Sequence, residues 1–296
     1  MTSPSLRERA QLRSLAAWGA GHAPRWFVAL APPVIGALFF VFLGRLRRVV
    51  TANQQRIDPA AHPLRQLWRT LATFLHFARN LTRQLAPARH QLGSGQLRVR
   101  GGAQLQRTLR KGGAVVVTAH VGPWDEAAAA MRSLLDARVL MLMGEEKDAQ
   151  AGAIQDRRRS EQNIDVIRTG GGVLDGLPAV MHLLNGGVLL CQLDRAVDGQ
   201  GTISTSLLGQ PYRVPRGIFQ LAAVARVPVI VVLSARLTGP RLFIDVGAPI
   251  SLDRRPSEEQ LQLVAGACME RLGRHLAAFP DQWFHFVGEQ SHQAGS

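Results

Sequence analysis

The sequence predicts an α/β protein: a largely parallel sheet covered by helices, with an N-terminal membrane-associated helical region. Three observations carry the prediction. From residue 114 onward, short β-branched apolar runs alternate with helical stretches. Those runs are apolar at consecutive positions, as strands covered on both faces require. Before them, residues 26–44, WFVALAPPVIGALFFVFLG, pass 19 positions without a charge, about the length that crosses a bilayer core.

Taken in order, the elements begin with that apolar run. Arg25 precedes it and Arg45, Arg47 and Arg48 follow it, so the bias of basic residues gives no orientation. Pro32 and Pro33 are expected to interrupt a continuous helix. Two readings fit: a membrane-inserted segment, spanning or re-entrant, or a buried helix pair. In residues 62–85, Leu64, Leu67, Trp68, Leu71, Leu75 and Ala78 recur at helical spacing, with Arg65, Arg69, Arg79 and Arg83 elsewhere around the helix. Such a helix lies on a membrane or packs on a core with its charges in water.

Strands are expected at 114–119, 138–143, 164–168, 188–193, 228–235 and 241–247. Helices are expected at 126–135, 149–162, 177–185, 216–226 and 257–279. The division that follows is a basic tail over 1–20, a membrane-associated helical region over 21–92, an α/β domain over 93–287 and a tail over 288–296.

Charge is distributed unevenly. The formal net charge is +14, yet residues 1–115 hold 18 Lys/Arg against 2 Asp/Glu and the remainder holds 17 against 19. The basic excess therefore surrounds the apolar N-terminal run. It suits anionic lipid head groups, an acidic protein or nucleic acid, but no recognised nucleic-acid motif accompanies it. With 46% hydrophobic and 19% charged residues, the chain is composed like a folded globular protein. Cys191 and Cys268 stand in apolar surroundings without metal or CxxC spacing, as reduced buried thiols do.

The chemistry concentrates in VVVTAHVGPWDEAAAAMRSLL, residues 115–135, where a buried strand becomes a helix. In open α/β sheets, sites form at the carboxyl ends of strands. His120 follows one strand directly, Asp194 follows another, and Thr-Gly-Gly-Gly at 169–172 follows a third just after Arg168. Histidine is suited to general-base work near neutral pH. Asp125, five positions on across a Gly-Pro turn, could fold back to fix the tautomer of His120 and balance its charge. Gly170 and Gly171 belong to a turn or to a backbone cradle for phosphate. Arg168 binds a phosphate or forms a surface salt bridge. No GxSxG elbow, phosphate loop or zinc signature is present.

HVGPWD resembles the H-x-x-x-x-D/E motif of the lysophospholipid acyltransferase superfamily, and within it the bacterial lipid A late acyltransferase branch, which includes lauroyl and myristoyl transferases. VIRTGGG, the segment from GGVLLCQLDR to VPVIVV, and FPDQWFHF are similar to segments of that family in the same order, so the resemblance covers about residues 25–287. Asp125 stands where many members carry Glu. The resemblance implies a membrane-associated O-acyltransferase of the bacterial inner membrane, facing the cytoplasm. Its donor is a fatty acyl thioester on acyl carrier protein or coenzyme A, and its acceptor is a hydroxyl of a glycolipid or lysolipid. His120 and Asp125 would be catalytic. Arg168, Gly170, Gly171, Asp194 and Arg195 would bind substrate, with no metal and no resident cofactor. A membrane-anchored lipid-binding protein with a degenerate acyltransferase fold is the alternative.

Overall fold

The computed structural model describes residues 25–85, 97–134, 138–144, 164–169, 176–196, 201–239 and 241–287. The expected helix 149–162, the 170–172 glycines and both tails lie outside these residues. The chain divides into two compact units, one of Met1–Gln96, Glu146–Arg157 and Pro280–Ser296, the other of Leu97–Glu145 and Arg158–Phe279. Residues 280–287, which the sequence joins to the α/β domain, are thus grouped with the N-terminal residues.

The first unit contains helices α1 (Arg25–Phe42), α2 (Gly44–Ile57) and α3 (Pro63–Leu85). α1 continues through Pro32 and Pro33, contrary to the expected interruption. Tertiary packing compensates for the two missing N–H donors. Pro32 and Gly36, one turn apart, are buried, and a Cβ on Gly36 would stand 2.8 Å from the Phe74 carbonyl oxygen of α3. Only a glycine lets the two helices approach so closely. The buried side of α3 carries Phe74 and Ala78 together with Gln66, Thr70 and Thr73. Thr70 and Thr73 donate to the carbonyls of Gln66 and Arg69, one turn back, which makes their burial tolerable. Gln54 of α2 donates to Pro280 O at 2.8 Å and Asn53 donates to His285 O at 2.7 Å, anchoring the 280–287 segment. His76 meets Asp281 at 3.2 Å. Burial pushes the Asp281 carboxyl up, but the bond and charge of His76, a backbone hydrogen bond and the Arg69 charge together leave the group below its ordinary value.

No helix among the described residues is long and apolar enough to cross a membrane. The exposed side of α1 is nevertheless apolar, with Leu30, Val34, Leu38 and Phe42 all about half exposed or more. Leu64, Leu67 and Trp68 form a second exposed apolar patch on α3.

In the second unit the elements run β1 (Leu97–Arg100), α4 (Gly102–Leu109), β2 (Ala114–Thr118), α5 (Trp124–Leu134), β3 (Val139–Gly144), β4 (Ile164–Thr169), α6 (Leu177–Leu184), β5 (Val188–Gln192), β6 (Thr202–Leu207), β7 (Gln210–Pro215), α7 (Arg216–Ala225), β8 (Val229–Arg236), β9 (Leu242–Val246) and α8 (Glu258–Ala278). Seven strands form one sheet in the order β1-β9-β8-β2-β5-β3-β4, parallel at every junction except β8–β9. β2 is its middle strand, and all five of its residues are buried, which is why it reads as an uninterrupted apolar run. β6 and β7 pair separately as an antiparallel hairpin.

Candidate active site

β2 and β5 are parallel neighbours, with Thr118 opposite Gln192. The ladder continues one bond further, from Leu193 N to Thr118 O at 2.8 Å. The residues that follow, His120 on one strand and Asp194 on the other, therefore emerge side by side at the carboxyl edge of the sheet. The His120 amide donates to Asp194 Oδ2 at 3.1 Å, and its ring Nδ1 meets Oδ1 at 2.8 Å. One carboxylate thus grips both the backbone and the ring of one histidine. Asp194 is fully buried and the His120 side chain retains 17% of its exposure.

The turn after His120 needs its glycine. Gly122 has φ +54°, and a Cβ there would collide with the Ser234 carbonyl of β8. Ser234 Oγ donates to Val121 O at 3.0 Å, so β8 holds the turn from its other side. Pro123 O accepts the first bond of α5 from Ala127 N. Asp125 and Glu126 occupy the first turn of α5, where carboxylates answer the helix dipole. Glu126 also pairs with Arg236 at 2.6 Å.

The sequence singles out seven site residues. The structure brings His120, Asp194 and Arg195 together through the β2–β5 pairing. The carboxylate on the His120 ring is Asp194, the end of a neighbouring strand, whereas Asp125 lies half-buried inside α5. Arg168 lies near the end of edge strand β4, separated from β2 by β3 and β5, about 14 Å at the usual strand spacing. Gly170 and Gly171 lie outside the described residues. Burial pushes the Arg195 guanidinium down, while Asp194 and Tyr212 act in the opposite sense.

Tyr212 is the residue that sequence reasoning missed. Its hydroxyl donates to the Asp194 carbonyl at 2.6 Å. It is the only tyrosine of the chain, and it follows a Leu-Gly turn between short runs of alternating character, which is the signal that could have found it.

A cavity of about 40 Å³ lies between the sheet and α5, lined by Thr118 and Trp124 near His120 but not by His120 or Asp194. Val116, Thr118 and Leu190 line its sheet side, and Trp124, Ala127, Ala128 and Met131 its helix side. The Trp124 ring stands edge-on to His120, with centroids 6.3 Å apart. The alanines of α5 leave this space because they reach less far toward the sheet than larger side chains would.

Chemically, a carboxylate accepts and does not donate, so His120 Nδ1 carries the proton toward Asp194 and Nε2 keeps a lone pair. This arrangement can take a proton from a bound hydroxyl and hold the resulting imidazolium beside a buried negative charge. Cys191 and Cys268 are buried free thiols, and burial pushes both up, Cys268 to about 12, which leaves them un-ionised and poor nucleophiles. Among the described residues no group of three His, Cys, Asp or Glu side chains could hold a metal ion.

No protein-family model matches the sequence, and no curated protein matches it. Among solved structures, the chain is similar to the crystal structure of the 1-acyl-sn-glycerophosphate (LPA) acyltransferase PlsC from Thermotoga maritima, at 14% identity and a TM-score of 0.39, covering 83% of this chain and 97% of that one.

Proposed function

We propose that the protein is a membrane-associated O-acyltransferase that moves a fatty acyl group from a thioester to a hydroxyl of a glycolipid or lysolipid, with lipid A-type acylation as the favoured case. The observation that carries the reading is the His120–Asp194 pair at a strand end of the parallel sheet. The resemblance of HVGPWD to the acyltransferase motif supports it. His120 Nε2 takes the proton of the acceptor hydroxyl as its oxygen attacks the thioester carbonyl carbon. The tetrahedral intermediate then expels the thiolate of acyl carrier protein or coenzyme A, which recovers the proton from His120. An ester and a free thiol result, and a thioester needs no metal for this step. Asp125 is the second catalytic candidate, carried by the motif resemblance, and its charge lies at the start of α5. Arg195, next to Asp194, is the candidate for holding an anionic group of either substrate, and Arg168 on β4 is the second.

The exposed apolar residues of α1 and α3 support lipid contact, with Arg45 and Arg48 exposed on α2 and Arg65 on α3 for anionic head groups. Acyl thioesters are made in the cytoplasm, so the site faces that side of the inner membrane. Protease attack on everted but not right-side-out vesicles would establish the sidedness.

The decisive assay mixes purified protein with acyl carrier protein or coenzyme A thioesters and with lysolipid or glycolipid acceptors in detergent. Mass spectrometry should show one acceptor gaining one acyl mass. His120→Ala should lose about 100- to 10,000-fold of that rate with unchanged circular dichroism. A wild type that binds these lipids yet transfers nothing would make the protein a lipid-binding module with a degenerate acyltransferase fold.

A further inference from the structure

We infer that the β6–β7 hairpin positions the His120–Asp194 pair, with Tyr212 as the positioning residue and Asp194, not Asp125, as the carboxylate that sets the His120 tautomer. Asp194 lies just beyond the last ladder bond, Leu193 N to Thr118 O, so the β2–β5 ladder ends before it. Both of its carboxylate oxygens are committed to His120. The direction in which that carboxylate points depends on the Asp194 peptide plane, and Tyr212 grips the carbonyl of that plane at 2.6 Å.

The hairpin is built to hold a hydroxyl still. Thr205 pairs with Tyr212 across it. Its two central turn residues, Leu208 and Gly209, have φ +54° and +77°, the sense that matches the twist of the flanking strands. Ile203, Leu207 and Val214 are fully buried, and β6 packs along α8. Tyr212 thus links a fixed α8–hairpin block to Asp194, and through Asp194 to the His120 ring. A ring held by one bond pivots, whereas a ring whose acceptor is fixed from behind does not.

This inference rests on the acyl-transfer reading only for its kinetic arm, because the tautomer is measurable without substrate. Ring-15N-labelled protein, with the His120 signals assigned by their loss in His120→Gln, should show a single neutral Nδ1–H tautomer. Tyr212→Phe keeps the ring and removes the donor. It should admit a measurable Nε2–H population and lower kcat about tenfold with KM nearly unchanged. Asp194→Ala should abolish the tautomer preference, Asp194→Glu should restore part of it, and Asp125→Asn should leave it as in the wild type. A wild-type tautomer and rate in Tyr212→Phe, a wild-type tautomer in Asp194→Ala, or loss of the preference in Asp125→Asn would each overturn the inference whether or not acyl transfer is observed. A tautomer that behaves as described in a protein without transferase activity would refute the proposed reaction and leave the positioning role standing.

Discussion

His120 owes its position to contacts on both sides. Asp194 holds the ring and the amide from β5, while Ser234 and the bare Cα of Gly122 fix the following turn against β8. Gly122→Ala tests the second contact. A left-handed φ costs an L-residue about 1–2 kcal/mol, and the added methyl must push back the β8 backbone. Destabilisation of roughly 2–4 kcal/mol is expected, read as a fall in thermal midpoint, together with loss of activity in the protein that remains folded. An unchanged melting temperature would mean that the turn accommodates a side chain and that His120 is not held from β8.

At the scale of elements, α1 and α3 carry apolar surface in opposite directions. Pro32, Gly36, Phe74 and Ala78 face into the helical unit, while Leu38, Phe42, Leu67 and Trp68 face out. The inward set packs the helical unit, and the outward set is the surface that the proposed lipid contact would use. Leu67→Asn with Trp68→Asn alters side chains that are 50% and 64% exposed, so folding should survive. Withdrawing two such side chains from a lipid interface costs on the order of 2–4 kcal/mol, which predicts at least a tenfold fall in co-flotation with anionic vesicles. Raising the salt should weaken the residual binding, because exposed charges are screened over about 8 Å at physiological ionic strength. Undiminished flotation of the double variant would move the lipid contact off α3.

For the molecule as a whole, acid stability turns on His275 of α8. Burial pushes its pKa down to about 4, with the Ser234 carbonyl acting against the shift. That carbonyl lies 3.1 Å from Nε2, which therefore bears the proton in the neutral ring. On unfolding the imidazole returns to its ordinary value near 6.5. Between these two values the unfolded chain binds more protons than the folded one, so stability is complete above pH 6.5 and falls as the pH drops toward 4. The slope approaches about 1.4 kcal/mol per pH unit at its steepest. Urea unfolding at pH 7, 6, 5 and 4.5 should show this decline, and His275→Gln should flatten it while lowering stability at pH 7. A wild-type curve as flat as that of the variant would mean that His275 is charged in the folded state.

Much of this was legible in the linear chain. The buried runs at 114–119 and 188–193 appear as strands β2 and β5, and His120 and Asp194 each stand just beyond a strand end, because consecutive apolar residues and the polar group that ends them are local signals. The apolar character of residues 26–44 was equally evident, since it depends on composition, but which of its faces is buried was not. Other features were decided by tertiary structure. β2 pairs with β5 and β8, not with β3, its successor in sequence; this crossover gave the His120 ring Asp194 as its partner. Pro32 and Pro33 stay inside a helix because α3 packs against it at Gly36. β1 has only four residues, and β6–β7 is rich in Ser, Thr and Pro, too short or too polar to announce a strand. Periodicity reports what a segment buries, but which segments become neighbours depends on the order of the strands. That order depends on contacts between residues far apart in the chain, and it determined how the His120–Asp194 pair was assembled.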